Sequence, residues 1–266
     1  MTKHKVAMAA FAVALWATGT GLCSAEPFAP NSGDDLKEVV SYGQTRVPRW
    51  LAATITRAAQ VTGVDSTFML ALADKESSFS YGVKAATSSA VGLYEFFEGT
   101  WLEVLKEHAA KHGFSAAADA ITVIAGRPSV ADPENRRWIL SLLEDPYLSA
   151  LMACEMIKKS RDRLARERER ELTDGELYLA HFLGGAGAPR LLKLVEEKPQ
   201  ENAPKAFQAA AKANQSIFYV TDDNNKKKEA TVTEVHARIS AMMASRVARY
   251  ASAKGQPESV QLSSVQ

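Results

Sequence analysis

The chain has 266 residues, with 32 Lys and Arg against 31 Asp and Glu and a formal net charge of +1 at pH 7. This near-neutral balance argues against nucleic-acid binding and against a surface that seeks membranes. The length suffices for one sizeable hydrophobic core and gives no clear sign of a second domain.

The first 25 residues have the features of a secretory signal peptide. Two lysines precede the apolar run 6–16, and small and polar residues follow up to Ala25, the expected last residue removed. A membrane anchor is the less favoured alternative, because the run is shorter than the roughly 20 residues that span a bilayer. Cleavage takes the formal charge from +1 to −1. We expect a periplasmic or secreted protein with no stable membrane insertion.

The cleaved chain keeps Cys154 as its one cysteine, which we expect to be a small buried hydrophobe. Residues 26–45 suggest a loose lead-in and residues 253–266 a disordered tail. Between them, residues 46–252 predict one mainly α domain with a minor β-hairpin region.

Helix starts and stops recur along this domain. Pro48 favours the first turn of one helix, and Asp65 or Ser66 can cap a second helix that carries Glu76. Residues 77–97 lack a helical period and predict turns and short strands. Later helices are expected to start at capping boxes at Thr100–Glu103 and Thr173–Glu176, at Asp-Pro pairs at 132–133 and 145–146, and at a cap at Thr231–Glu234. Helices are expected to stop at Gly113 and at Gly184–Gly185. A strand is expected at 216–221.

Glu76 continues an apolar helical stripe formed by Met69, Leu72, Ala73 and Phe79. A carboxyl group in such surroundings loses water, which raises its pKa and can keep it protonated for general-acid catalysis. The alternative is a helix-terminal glutamate that forms a salt bridge with an arginine.

Further segments in chain order give this residue a context. They are Ala73–Phe79 (Ala-Asp-Lys-Glu-Ser-Ser-Phe), Ser89–Phe96 (Ser-Ala-Val-Gly-Leu-Tyr-Glu-Phe), Thr100–Trp101 and Tyr178–Gly184 (Tyr-Leu-Ala-His-Phe-Leu-Gly). Together they resemble the successive motifs of the soluble lytic transglycosylase family, which has the goose-type lysozyme fold. The resemblance implies that the mainly α domain is of the α+β lysozyme-like type. The resemblance covers about residues 50–195.

The resemblance implies a lytic transglycosylase that acts on peptidoglycan glycan strands without a cofactor. Glu76 would protonate the MurNAc-GlcNAc β-1,4 bond and then, as a base, assist closure of a 1,6-anhydro ring without water. A wall-spanning machine is a further partner that the resemblance leaves open.

It also implies a set of substrate-binding residues. Ser77 would hold the carboxyl group or a substrate amide, and Gly92 and Leu93 would line the cleft. Tyr94 and Phe96 would form an aromatic wall for sugar faces, for which ordinary core packing is the alternative.

The chain departs from the family pattern at two places. Glu95 replaces a common Gln, and Ala180 to Gly184 reads Ala-His-Phe-Leu-Gly where many members have Ala-Tyr-Asn-Ala-Gly. Glu95 would bind sugar hydroxyls as the Gln does. His181, or Tyr178 one turn earlier, would make the hydrogen bond of the family's Tyr, and Phe182 would be a further substrate-binding residue.

These departures keep two other functions open. Glu95 or Glu98 could activate water opposite Glu76, as in a hydrolytic muramidase with two carboxylates. The third alternative is a non-catalytic wall-binding or scaffold module. The spacing of His108 and His112 suits a metal pair, but Ala109 stands where a zincin has Glu, so no metal site is expected.

Overall fold

The computed structural model describes residues 38–81, 91–221 and 226–251. This part of the chain is mainly helical and has three two-stranded antiparallel sheets, which confirms the predicted mainly α class with a minor β-hairpin region. The predicted signal peptide, the start of the lead-in and the predicted tail from residue 253 lie outside the described residues.

The elements follow one another with short connections. The helices are α1 Arg49–Thr62, α2 Ser66–Ser77, α3 Glu98–His108, α4 Ser115–Asp119, α5 Pro133–Ser141, α6 Pro146–Arg168, α7 Asp174–Glu197, α8 Ala203–Ala206, α9 Gln208–Ala213, α10 Gln215–Phe218 and α11 Val232–Ala251. The hairpins are β1 Val39–Tyr42 with β2 Thr45–Pro48, β3 Thr122–Ile124 with β4 Arg127–Ser129, and β5 Tyr219–Thr221 with β6 Lys227–Glu229. Short 3₁₀ helices cover Ala109–His112 and Leu142–Glu144.

Most of the predicted caps are present. Asp65, Asp132 and Asp145 accept hydrogen bonds from backbone N–H groups at the starts of α2, α5 and α6, so donors that the helices leave unsatisfied find partners. Thr173 and Glu176 form the expected capping box of α7. Gly113 ends the 3₁₀ turn after α3 in the left-handed conformation.

The capping box predicted at Thr100 is wrong. Helix α3 begins at Glu98 after an extended Phe97, and no side chain caps it. Trp101 is fully buried and packs against Phe96, with ring centroids 5.2 Å apart. This packing fixes the entry of the chain, so the helix starts three residues earlier than the predicted cap at Thr100 suggests.

Two hairpins lie where none was predicted. The β1–β2 hairpin occupies the end of the segment expected to be a loose lead-in, and Arg49 N hydrogen-bonds to Glu38 O at 2.8 Å as α1 begins. The β3–β4 hairpin turns at Ala125 and Gly126, both with positive φ. The strand predicted from residue 216 begins only at Tyr219, because a helical turn precedes it.

Gly184 interrupts α7 without ending it. Its φ of 70° and ψ of −179° break the helical geometry, and the helix resumes on the other side. The predicted stop is therefore a kink, which places Tyr178 and His181 on the first half of α7.

The core lies among α1, α2, α6, α7 and α11. A Cβ at Gly175 would lie 2.6 Å from Ser240 Cα, so α7 and α11 approach closely.

Cys154 is fully buried on α6, as predicted, and burial raises the pKa of its thiol to about 12. Within the described part of the chain, no helix combines the length and apolar character needed to cross a bilayer.

Candidate functional site

A cleft of about 410 Å³ opens beside the C-terminal end of α2. Five parts of the chain that are distant in sequence form its walls: the end of α2, the turn that leads into the start of α3, the middle of α6, the first half of α7 and the end of α9. Its lining residues are Lys75, Glu76, Tyr94, Glu95, Phe96, Phe97, Thr100, Met156, Tyr178, His181, Phe182, Ala213 and Asn214.

Glu76 lies in this cleft with 15% of its side chain exposed. The Tyr178 hydroxyl donates a hydrogen bond of 3.3 Å to Glu76 Oε1. His181 Nε2 lies 3.6 Å from the same oxygen, just beyond ordinary hydrogen-bonding distance. The partners of this carboxyl group in the described structure are therefore a tyrosine and a histidine, not the arginine of the structural alternative.

The expected rise in the pKa of Glu76 is wrong for the free cleft. Burial is the largest influence and would raise the pKa. The contact with His181, the positive charges of His181 and Lys75, and the hydrogen bond from Tyr178 act in the opposite direction, and together they lower the pKa of Glu76 below its ordinary value. The nearby hydrogen-bond donors and positive charges thus lower the pKa of Glu76 by more than burial among apolar residues raises it.

Glu95 is a second carboxyl group in the cleft and adopts a left-handed backbone conformation with φ of 50°. Burial and, to a lesser degree, the negative charge of Glu76 raise the pKa of Glu95. The electrostatic coupling of the two carboxylates thus acts on Glu95 by raising its pKa. Glu98 does not line the cleft but forms a two-oxygen ion pair with Arg136 at 2.6 Å.

Ser77 has a different role from the one expected. Its hydroxyl donates to Leu93 O at 2.8 Å and lies 3.2 Å from Ala73 O. The side chain therefore ties the end of α2 to the turn that carries Glu95, and it does not contact the Glu76 carboxyl group.

Gly92 and Leu93 are buried behind the cleft wall and do not line it. Gly92 has φ of +83°, and a Cβ there would lie 2.5 Å from the backbone oxygen of Leu143. The close approach that requires this glycine is thus to the protein's own 3₁₀ turn, not to a sugar.

The aromatic surface of the cleft differs from the predicted wall. Tyr94 and Phe96 contribute to the lining but are almost completely buried, and the Tyr94 hydroxyl donates to Met69 O at 3.3 Å. Phe97 is 58% exposed and Phe182 is half-buried, with its ring 5.9 Å from that of Tyr178. Phe97 was not among the predicted site residues; an aromatic residue that directly precedes a helix was the available signal.

The histidine pair at 108 and 112 serves a structural contact. His112 Nε2 and Lys111 Nζ contact Glu155 at 2.8 and 2.6 Å, which joins the end of α3 to α6. Among the described residues, no group of three potential ligands is placed to hold a metal ion.

A search of the chain against models of known protein families found no match.

Proposed function

We propose that this chain is a peptidoglycan lytic transglycosylase with Glu76 as its single acid and base. The observation that carries the proposal is the position of Glu76: a largely buried carboxyl group at a helix end, open to a cleft and within 3.3 Å of the Tyr178 hydroxyl. The motifs around Glu76, Gly92 and His181 support the same assignment, as does the predicted export signal at the start of the sequence.

The reaction requires one carboxyl group in two protonation states. Protonated Glu76 gives its proton to the glycosidic oxygen between MurNAc and GlcNAc, and the bond from that oxygen to the muramic C1 breaks. The acetamido group of the substrate stabilises the positive charge that develops at C1. Ionised Glu76 then takes the proton of the muramic C6 hydroxyl, whose oxygen bonds to C1 and closes the 1,6-anhydro ring.

The lowered pKa of Glu76 in the free protein suits the second step better than the first. A glycan strand in the cleft excludes water from the carboxyl group, and desolvation favours the protonated acid. Binding of the substrate therefore promotes the protonated form that the first step needs, and the Tyr178 hydroxyl holds the group in place throughout.

A hydrolytic muramidase is the second candidate, and Glu95 is the observation that favours it. This carboxyl group lines the same cleft, and the negative charge of Glu76 contributes to raising its pKa. An enzyme with two such carboxylates can activate water with one of them. A non-catalytic wall-binding module is the third candidate. All three fit a periplasmic or secreted protein whose ligand is peptidoglycan.

Product analysis separates the candidates. Purified peptidoglycan is digested with the protein, and the soluble fragments are examined by mass spectrometry. We expect anhydro-muramic ends, which are lighter by one water molecule than reducing ends. Reducing ends would assign the muramidase instead, and intact walls would overturn both enzymatic assignments.

A further inference from the structure

A second groove continues from the cleft between α3 and α6. This α3–α6 groove has a volume of about 190 Å³ and is lined by Thr100, Glu103, Val104, Glu107, His108, Met156, Lys159, Ser160, Arg163 and Gly185. Thr100 and Met156 line both cavities. A ligand bound beside Glu76 can therefore extend over these two residues into the groove without leaving the protein surface.

The two walls of the groove carry opposite charges. Helix α3 supplies Glu103 and Glu107, and α6 supplies Lys159 and Arg163. Lys159 Nζ lies 2.5 Å from Glu107 and 3.9 Å from Glu103, and all three side chains are exposed. Ion pairs between exposed side chains contribute little, about 0–1 kcal/mol each, so a charged ligand can replace them at small cost.

Arg163 is held at the far end of the groove by the kink of α7. Its Nη2 donates to Gly185 O at 2.6 Å. A Cβ at Gly185 would lie 2.5 Å from Nη1, so only a residue without a side chain lets the guanidinium rest on this backbone without a shift. The cation is thus positioned before any ligand binds.

The composition of the groove fits a charged ligand better than a neutral sugar. Its lining, as the described residues define it, has no Phe, Tyr or Trp to pack against a sugar face, whereas the cleft has Phe97 and Phe182. Cations on one wall and carboxylates on the other match a ligand that carries both carboxylate and ammonium groups.

We propose that the α3–α6 groove binds the stem peptide of the peptidoglycan fragment whose sugar occupies the cleft. Carboxylates of the peptide contact Lys159 and Arg163, and its free amino group contacts Glu103 or Glu107. This inference rests on the proposed function, since the peptide reaches the groove from the muramic sugar beside Glu76. It adds a preference: the protein distinguishes wall strands that carry peptides from bare strands.

Binding measurements on the full chain with Glu76→Gln, which prevents turnover, test the groove. The probes are the GlcNAc-MurNAc disaccharide with a stem tetrapeptide and the same disaccharide without it. In this background, two double variants are compared. The groove pair is Lys159→Gln with Arg163→Gln, and the control pair is Lys158→Gln with Arg166→Gln. The control pair removes the same charge from the same helix at positions outside the groove lining.

We expect the groove pair to weaken binding of the peptide-bearing probe about tenfold, the effect of losing one charge-assisted hydrogen bond. Binding of the bare disaccharide should stay within about twofold, which also shows that the variant is folded. The control pair should change neither. Equal affinity of the unmodified groove for both probes, or equal losses in both pairs, would overturn the inference.

Failure of the groove and failure of the proposed function give different results. A protein that binds the bare disaccharide and cleaves bare strands, but gains nothing from the peptide, contradicts only the groove. A protein that binds neither probe and leaves walls intact contradicts the proposed function, and the peptide site with it.

Discussion

At the scale of single residues, the surroundings of Glu76 decide its chemistry more than its place on the apolar stripe does. His181 and Tyr178 both contact the same carboxylate oxygen, and Lys75 adds a positive charge. These groups stabilise the ionised form against a burial that favours the neutral one. The position of Glu76 followed from helical spacing, but the direction of its pKa shift depended on partners about 100 residues away in sequence.

Replacement of His181 tests this balance. In His181→Phe the largest remaining influence on the pKa of Glu76 is burial, so the pKa should rise. Activity that needs protonated Glu76 is lost as the pH rises through this pKa, so the alkaline limb of the pH profile of kcat/KM should move to higher pH.

Tyr178→Phe provides the comparison, because the Tyr178 hydrogen bond is the smallest of the influences that lower the pKa of Glu76. It should move the alkaline limb in the same direction but less far. An alkaline limb that stays in place or moves to lower pH in His181→Phe would show that His181 does not control the protonation of Glu76.

At the scale of elements, the turn between α2 and α3 positions Glu95 against the cleft. Ser77 ties this turn to α2, and Val91 pairs with Phe96 across it. Gly92 lets the turn rest on the carbonyl oxygen of Leu143. The sequence alone could not show why position 92 requires glycine, because the Leu143 carbonyl oxygen that approaches it is some 50 residues away in sequence.

Gly92→Ala should therefore lower the free energy of unfolding by about 3 kcal/mol, through the positive φ and the collision with a backbone atom. Gly43→Ala is the matched control: Gly43 also has positive φ, at +62°, but a Cβ there meets nothing within 4 Å. It should cost about 1 kcal/mol. Urea unfolding of both variants measures the difference, and equal losses would refute the account of this turn.

Helix ends were predictable where local chemistry fixes them. Asp65, Asp132, Asp145 and the Thr173–Glu176 capping box use side chains that are close in sequence to the groups they bind. The start of α3 was not predictable, because the packing of Trp101 overrides the local signal. The β1–β2 and β3–β4 hairpins were missed because neither segment has the clear alternation of a half-buried strand.

At the scale of the whole molecule, the closing helix α11 holds the end of α2 in place. Arg249 Nη1 donates to Asp74 Oδ2 and to Thr45 Oγ1, each at 3.0 Å, so one arginine joins α11, the helix of Glu76 and the first hairpin. Arg246 lies 3.6 Å from the same Asp74 oxygen. The sequence predicted the start of α11, but pairing across about 175 residues requires the folded chain.

The cleft itself is a property of the whole fold. Sequence motifs indicated Glu76, Glu95, Tyr178, His181 and Phe182, and the structure brings these residues to one cavity. The motifs alone did not separate residues that face the cleft from residues that support it. Ser77, Gly92 and Leu93 support it from behind.

The most direct measurement is wall digestion by Glu76→Gln, compared with the unchanged protein and with Glu95→Gln. Loss of the proposed general acid and base should reduce release of anhydro fragments by at least about a hundredfold. The unfolding temperature should stay within about 3 °C. Glu95→Gln, the same change in the same cleft, should still yield anhydro ends. A folded Glu76→Gln protein that releases such fragments at an undiminished rate would contradict the central role of this carboxyl group.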